Sequence, residues 1–176
     1  MELKPKIRLI NGFPAQGIVF RDITPLLSDA NALDKAIYQM LLQYDEIDKV
    51  AGIESRGFII GGALAYELHA GFIPIRKAGK LPFKTESITY STEYSEDTLE
   101  IHTDAIKESE RVLIVDDLLA TGGTAKAAIE LVERLGGIVV GCCFLVELLE
   151  LEGREKLEGV EVFSLIRSGP SARVKW

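Results

Sequence analysis

Cysteine, histidine and tryptophan are scarce in this chain of 176 residues, which contains two, two and one of them. The two cysteines, Cys142 and Cys143, are neighbours inside an apolar run. A disulfide between adjacent residues is badly strained, and a metal bound there would lack further soft ligands. A disulfide scaffold and a thiolate metal site are therefore excluded, and we expect both cysteines to be reduced thiols in the core.

Long apolar runs and an excess of positive charge are lacking as well. The longest apolar stretches, near residues 57–66 and 136–146, fall well short of the roughly 20 residues that span a bilayer. The net charge of -7 repels nucleic acid and anionic membranes, so any phosphate must be bound by a local site. The first residues lack the continuous hydrophobic segment of a secretory signal. We therefore expect a cytoplasmic protein with no nucleic-acid or membrane partner.

The composition, 47% hydrophobic and 27% charged, is that of a folded protein, and the length suits a single domain over residues 1–176. Apolar runs alternate with segments of helical spacing, which predicts an α/β fold. Ligand sites in such folds lie at the carboxyl ends of the strands, here after Ile53, Ile75 and Val115. The predicted strands cover 49–54, 72–76, 111–115 and 138–145, and the predicted helices cover 33–44, 57–69 and 124–135.

Two predictions concern polar residues near the ends of these elements. Asn31 and Asp34 are placed to satisfy the free amides in the first turn of the first helix. The acidic run 147–158 is interpreted as a solvated face.

The segment 77–97 is too long for an ordinary connector, which is typical of lids and binding arms. Residues 87–90 and 98–102 are predicted to pair as a hairpin, with Leu99 and Ile101 on one face.

The most informative stretch runs from Val112 to Thr124 and reads VLIVDDLLATGGT. It places Asp116 and Asp117 where a buried strand ends, followed by a turn and a helix N-terminus. Backbone amides and the positive end of the helix dipole suit a phosphate, whereas carboxylates, which only accept hydrogen bonds, suit the two hydroxyls of a ribose. The predicted phosphate-binding residues are Ala120, Thr121, Gly122, Gly123 and Thr124.

The alternative for this motif is a turn capped by Thr124 with two solvated aspartates, but the full combination favours function. The motif resembles the signature of the type I phosphoribosyltransferases. The resemblance implies a twisted, mostly parallel sheet flanked by helices, a small base-binding hood over residues 1–28 and a flexible lid with a hairpin over residues 77–102. It also implies that the loop binds the 5-phosphate of phosphoribosyl pyrophosphate and that the two aspartates contact the ribose.

Four further segments resemble the members of that family that act on adenine, and they extend the resemblance over nearly the whole chain. They read FPAQGIVFRDIT (13–24), GIESRGF (52–58), RKAGKLP (76–82) and EYSEDTLEIH (93–102). The resemblance implies adenine and phosphoribosyl pyrophosphate as substrates, AMP and pyrophosphate as products, and a homodimer. Mg²⁺ would be carried by the substrate phosphates, with no ligand taken directly from protein side chains.

Basic residues in two of these segments are candidates for the pyrophosphate. Ser55, Arg56 and Gly57 close a strand and open a helix, which forms an anion site, and the Arg56 guanidinium suits a pair of phosphate oxygens. The alternative for Arg56 is a surface ion pair. The positive charges of the next strand end would neutralise the leaving group; they belong to Arg76, Lys77 and Lys80.

The base is assigned to the first and last of the four segments. The resemblance implies that Phe20 stacks on adenine while backbone groups around Val19 and Arg21 bond its edge, although core packing of Phe20 is an equal alternative. Glu93 is the predicted acid/base residue, because a carboxylate that accepts the N7 proton leaves N9 free to attack.

Two other functions remain open. One is a phosphoribosyltransferase for xanthine, hypoxanthine or guanine, and the other is a regulator that senses phosphoribosyl pyrophosphate without turning it over.

Overall fold

The structure is a computed structural model that describes residues 2–91 and 96–169. The chain forms two compact units, Met1–Gln39 and Met40–Trp176. In the first unit, Lys4–Lys6 form a 3-10 turn, and strand β1 (Arg8–Asn11) pairs antiparallel with β2 (Val19–Asp22). Helix α1 (Thr24–Leu27) follows, and helix α2 (Ala30–Leu41) begins in this unit and ends two residues past its boundary.

Helix α2 begins three residues earlier than predicted, and its first turn is capped differently. Asp29 accepts hydrogen bonds at Oδ1 from the backbone N–H groups of Asn31 and Ala32, both at 3.1 Å. The prediction that Asn31 and Asp34 cap the helix is therefore wrong. The prediction is based on the apolar stripe, which shows the buried face of a helix but does not show where the helix begins. The helix begins at Ala30, and Asp29, the residue before it, therefore occupies the capping position.

The second unit alternates strands with helices. Its strands are β3 (Lys49–Ile53), β4 (Gly71–Lys77), β5 (Thr85–Ser91), β6 (Glu96–His102), β7 (Arg111–Leu119), β8 (Ile138–Leu148) and β9 (Val162–Ser168). Its helices are α3 (Arg56–Glu67) and α4 (Gly123–Arg134), and Leu149–Leu151 and Gly153–Leu157 form 3-10 turns. No helix within residues 2–91 and 96–169 is both long and apolar enough to cross a membrane.

The strands of the second unit pair, within the described residues, in the order β5-β6-β4-β3-β7-β8-β9. The five strands β4, β3, β7, β8 and β9, in this spatial order, are parallel to their neighbours. Strand β6 pairs antiparallel with both β4 and β5. The centre of β7 is fully buried, as expected of a parallel strand whose two faces are both covered. The predicted α/β fold with a mostly parallel sheet is confirmed.

The predicted hairpin is also confirmed, and it is longer than expected. Strands β5 and β6 pair along their whole length, from Thr85 opposite His102 to Ser91 opposite Glu96. Leu99 and Ile101 are buried on one face of β6, as the alternating pattern predicts. The hairpin extends the sheet because β6 also pairs with the end of β4.

The predicted solvated face over residues 147–158 is wrong at its first residue. Glu147 is 4% exposed and pairs with Arg154, whereas Glu150, Glu152 and Glu158 are exposed. The frequency of acidic residues in this segment does not show that β8 extends to Leu148, which places the Glu147 side chain in the interior.

Cys142 and Cys143 are buried and free, as expected, and burial raises the pKa of each thiol to about 12.

Candidate active site

Strand β7 carries the two aspartates within its ladder and not after it. The sequence predicts that this strand ends at Val115, but it continues to Leu119 because it stays paired with β8 beyond that point. In this register Asp116 lies opposite Phe144 and Leu119 lies opposite Glu147. The apolar pattern does not predict this extension. Pairing with β8 satisfies the backbone hydrogen-bonding groups of residues 116–119 whether or not their side chains are apolar.

Asp116 and Asp117 concentrate negative charge at this strand end. Asp116 Oδ1 accepts a hydrogen bond from the backbone N–H of Asp117 at 2.8 Å. Asp117 Oδ2 lies 2.9 Å from a guanidinium nitrogen of Arg56, as an ion pair without hydrogen-bond alignment. Burial and the charge of Asp117 raise the pKa of Asp116 well above its usual range, and burial also raises the pKa of Asp117, against the charge of Arg56. The pair therefore favours hydrogen-bond donors or a cation as neighbours.

The predicted phosphate loop forms the turn between β7 and α4. Gly122, with a φ of 80°, is the N-cap of α4, a left-handed conformation that favours glycine. A cavity of about 70 Å³ lies at this turn and is lined by Ala120, Thr121, Gly122 and Thr124, among others. Because the first amides of a helix have no intrahelical acceptor and its dipole is positive at that end, the turn suits an anion.

The phosphate loop is backed by a second stretch of backbone. A Cβ on Gly122 would overlap the carbonyl oxygen of Gly153, and a Cβ on Gly153 would overlap the carbonyl oxygen of Ala120. Two glycines are therefore required for the loop and the 3-10 segment that begins at Gly153 to lie in contact.

A cavity of about 400 Å³ brings most of the predicted sugar- and pyrophosphate-binding residues together. It lies where β3, β7 and the end of β4 meet the starts of α3 and α4, at the carboxyl ends of the parallel strands, as expected of this fold class. The predicted residues that line it are Ser55, Arg56, Lys77, Asp116, Asp117, Ala120 and Thr124.

The predicted pyrophosphate loop joins β3 to α3. Its Glu54–Ser55 peptide bond is cis, and α3 begins at Arg56. A Cβ on Gly57 would lie 2.8 Å from Asp116 Oδ1 and 3.0 Å from the carbonyl oxygen of Val115. Gly57 therefore lets the start of α3 lie directly against β7.

The cations of the next strand end are held by carboxylates that the sequence did not single out. Glu54 Oε2 accepts a hydrogen bond from Arg76 Nε at 2.9 Å, and Glu54 Oε1 accepts one from Lys80 at 2.7 Å. These bonds lower the pKa of Glu54, although burial opposes the shift. Lys77 lies 2.9 Å from Asp97, whose hydrogen bond raises the pKa of Lys77. Of the three predicted cations, Lys77 alone lines the large cavity within the described residues.

The hairpin reaches the phosphate loop through Tyr90. The hydroxyls of Tyr90 and Thr124 lie 3.1 Å apart, so Thr124 contacts the hairpin and does not act as the helix cap of the alternative interpretation. Tyr90 and Asp97 both line the large cavity. Glu93, the predicted acid/base residue, lies outside the described residues.

The residues predicted to bind adenine lie on β2 of the first unit. The Phe20 ring packs edge-on against Phe13 with centroids 5.1 Å apart, and Arg21 donates a hydrogen bond to the Val19 carbonyl oxygen at 2.6 Å. Phe20 is half-buried and Arg21 is buried.

Sequence reasoning missed four residues of this site: Glu54, Tyr90, Asp97 and Gly153. Tyr90 could have been found, because it alternates with Ile88 along the predicted hairpin and both pack towards the core. Glu54 stands between a strand end and the predicted anion loop, which is a signal for a charged partner. Gly153 carries no local signal, since its role depends on a contact with a distant turn.

Known proteins match this chain in sequence and fold. The family model of the phosphoribosyl transferase domain matches residues 23–172 of the chain. The class that the parallel sheet, the acidic pair and the anion turn define is thus that of the phosphoribosyltransferases.

Relatives identify a narrower family. The chain is 58% identical over 168 residues to the adenine phosphoribosyltransferase of Brachyspira hyodysenteriae, which covers 94% of this chain and 99% of the relative. The crystal structure of the Thermoanaerobacter pseudethanolicus adenine phosphoribosyltransferase matches with a TM-score of 0.91 and 52% identity, over 94% of this chain and 98% of that chain. The chain therefore belongs to the adenine phosphoribosyltransferase family, as its sequence predicts, and the type I fold is confirmed.

A third match has ligands. The Saccharomyces cerevisiae adenine phosphoribosyltransferase, in complex with an imino-altritol bisphosphate and adenine, has a TM-score of 0.88 and 42% identity, and covers 93% of this chain and 96% of that chain.

Proposed function

We propose that this protein transfers the 5-phosphoribosyl group of phosphoribosyl pyrophosphate to N9 of adenine, giving AMP and pyrophosphate in purine salvage. One observation carries the proposal: a cavity of about 400 Å³ lined together by the acidic pair, Arg56, Lys77, and Ala120 and Thr124 of the phosphate loop. Membership of the adenine phosphoribosyltransferase family, and the adenine in the related yeast structure, support the choice of base.

The phosphoribosyl group is bound by two kinds of partner in this proposal. Backbone amides of residues 120–124 and the hydroxyls of Thr121 and Thr124 donate to the 5-phosphate. Asp116 and Asp117 accept hydrogen bonds from the two ribose hydroxyls. Their raised pKa values support this role, because hydroxyl donors offset part of the cost of burying two adjacent charges.

Mg²⁺ fits the same place. Within residues 2–91 and 96–169, no three His, Cys, Asp or Glu side chains converge as a metal cage, but Asp116 and Asp117 offer hard oxygen acceptors to an ion that keeps its waters. The ion would be carried by phosphoribosyl pyrophosphate next to Asp116 and Asp117, and it would neutralise part of the charge of the leaving group.

The leaving pyrophosphate is assigned to the cations and amides around the cavity. Arg56 lies at the start of α3 and is proposed to contact the reacting pyrophosphate directly, next to Ser55 and Gly57. The other cations are Arg76, Lys77 and Lys80. Positive charge at this end of the cavity favours departure of the leaving group by electrostatic stabilisation.

In the chemical step, the bond between the ribose C1 and N9 of adenine forms while the bond between C1 and the pyrophosphate oxygen breaks. Glu93 accepts the N7 proton of adenine. Phe20 stacks on the purine, and backbone groups at Val19 and Arg21 bond its edge. Most of the rate acceleration comes from placing the two reactants in line and from stabilising the positive charge that grows on the sugar.

We further propose that the protein works in the cytoplasm as a homodimer. Ile59 and Tyr66 support an interface, because they lie seven residues apart on one face of α3 and are 50% and 79% exposed. Light scattering coupled to size-exclusion chromatography measures the mass, and a monomer at working concentration would contradict the dimer.

The deciding assay supplies phosphoribosyl pyrophosphate, Mg²⁺ and one base at a time, and identifies the nucleotide formed. AMP from adenine, with no product from hypoxanthine, guanine or xanthine, is the expected result. IMP, GMP or XMP would select an oxopurine enzyme instead, and binding of phosphoribosyl pyrophosphate without any product would select a sensor.

A further inference from the structure

Behind the phosphate loop, a bidentate ion pair joins the end of β8 to the 3-10 segment Gly153–Leu157. Arg154 donates from Nε to Glu147 Oε1 at 3.1 Å and from Nη2 to Glu147 Oε2 at 2.7 Å. Its Nη1 also donates to the carbonyl oxygen of Val162 at 2.6 Å, and Nη2 lies 3.4 Å from the hydroxyl of Ser164. One guanidinium therefore ties the segment to both β8 and β9.

The pair contributes a fixed geometry more than stability. The Glu147 side chain is buried, and the hydrogen bonds from Arg154 lower the pKa of its carboxyl group against the effect of burial, so it is ionised at neutral pH. The Glu147 carboxylate loses its hydration on burial while the Arg154 side chain stays 39% exposed, so the attraction between the two charges adds little net stability. A fork of two parallel hydrogen bonds, however, fixes the position of the arginine and of its backbone.

The backbone that Arg154 fixes is the one that touches the phosphate loop. Gly153 is its immediate neighbour, and a Cβ on Gly153 would lie 2.8 Å from the backbone nitrogen of Gly122 and would overlap the Ala120 carbonyl oxygen. Leu157, buried in the core, anchors the other end of the segment. The loop and the segment are therefore in direct backbone contact, so a shift of the segment changes the support behind the loop.

We propose that Arg154 is a positioning residue for the 5-phosphate. By pairing with Glu147 it holds Gly153 against residues 120–122, and so sets the spacing of the amides that receive the phosphate. Arg154 touches no substrate in this role. The inference rests on the proposed function, since it takes the ligand of the loop to be the 5-phosphate of phosphoribosyl pyrophosphate.

The test compares Arg154→Gln with Arg167→Gln. Arg167 Nε lies 3.5 Å from the same Glu147 carboxylate but belongs to β9, so it serves as the matched control. The measurements are the Kd of ribose 5-phosphate by calorimetry, and kcat with the KM of each substrate. We expect Arg154→Gln to weaken ribose 5-phosphate and raise the KM for phosphoribosyl pyrophosphate by about tenfold, since small displacements of binding groups are costly. The KM for adenine should stay at the wild-type value, as should every constant of Arg167→Gln.

Arg154→Lys separates positioning from folding. A lysine at this position retains a charge for one Glu147 oxygen but not the fork, so it should recover part of the lost affinity. The inference would be overturned if Arg154→Gln had a lower melting temperature but bound ribose 5-phosphate as tightly as Arg167→Gln. That result would show that Arg154 has a purely structural role.

Gly153→Ala is the second variant if Arg154→Gln does not fold, because it keeps both side chains of the ion pair and places its new Cβ at the contact with the loop. Weaker binding of ribose 5-phosphate by Gly153→Ala supports the inference, and wild-type affinity overturns it. Failure of the wild-type protein itself to bind ribose 5-phosphate would instead overturn the proposed function.

Discussion

Replacement of Gly122 by alanine perturbs the phosphate loop in two separable ways. Gly122 has a φ of 80°, and an L-residue in this left-handed region costs about 1–2 kcal/mol. The new Cβ would also overlap the Gly153 carbonyl oxygen, and relieving such overpacking costs about 1–3 kcal/mol more. We therefore expect Gly122→Ala to lose about 2–5 kcal/mol of unfolding free energy. Because the loop amides must move, its KM for phosphoribosyl pyrophosphate should rise at least about tenfold.

Gly159→Ala is the matched control for this change. Gly159 has a φ of 86°, and its Cβ position is open among the described residues, so alanine there meets the backbone strain without the clash. Urea unfolding gives the two free energies, and initial rates at varied phosphoribosyl pyrophosphate give KM. Equal KM values for Gly122→Ala and Gly159→Ala would refute the reasoning that contact with Gly153 determines where the loop lies.

Three carboxylates give further predictions. Burial and the charge of Asp117 raise the pKa of Asp116 in the folded state, so the wild type loses stability as pH rises above the usual pKa of 3.8. Asp116→Asn should therefore have a higher melting temperature than the wild type at pH 8, and the difference should vanish towards pH 4. The same substitution should raise the KM for phosphoribosyl pyrophosphate about tenfold. Equal melting temperatures at pH 8 would contradict this. Glu54→Gln should behave in the opposite way, because the lowered pKa of Glu54 stabilises the protein above its usual value of 4.5 and that stability is lost in acid. We expect a deficit of about 1 kcal/mol at pH 7, since the partner cations remain partly solvated, and a deficit that persists at pH 3 would argue against the ion pairs. Glu93→Gln should lower kcat about 100-fold with little change in the Kd of phosphoribosyl pyrophosphate, and an unchanged rate would remove Glu93 from its role.

The features that sequence alone predicts are those in which neighbouring residues contain the whole signal. The β7-α4 unit is an example: an apolar β-branched run, two aspartates and a Gly-Gly turn before a helix follow one another within VLIVDDLLATGGT. The hairpin is another, because alternation placed Leu99 and Ile101 on the buried face. Element ends were predicted less well. Strand β7 runs four residues past Val115, since ladder pairing with β8 does not depend on apolar side chains.

The features that sequence missed depend on distant partners. Glu147 belongs to an acidic run, and only its pairing with Arg154 across a turn makes it an inside residue. Glu54 stands next to a predicted site residue, yet its role requires Arg76 and Lys80, which come 22 and 26 residues later. Gly153 is the clearest case, because nothing in its neighbourhood indicates a close approach to the phosphate loop.

The ion pairs around the large cavity bear on how a reaction cycle there would end. Each cation assigned to the pyrophosphate already has an acidic counterpart in the same chain, namely Asp117 for Arg56, Asp97 for Lys77 and Glu54 for both Arg76 and Lys80. A pyrophosphate group that binds there would replace these carboxylates as the partner of the cations, because the cations are not unpaired before it binds. If the proposed product departs, those carboxylates would be available to pair with the same cations again, so its escape would not leave unpaired charges behind.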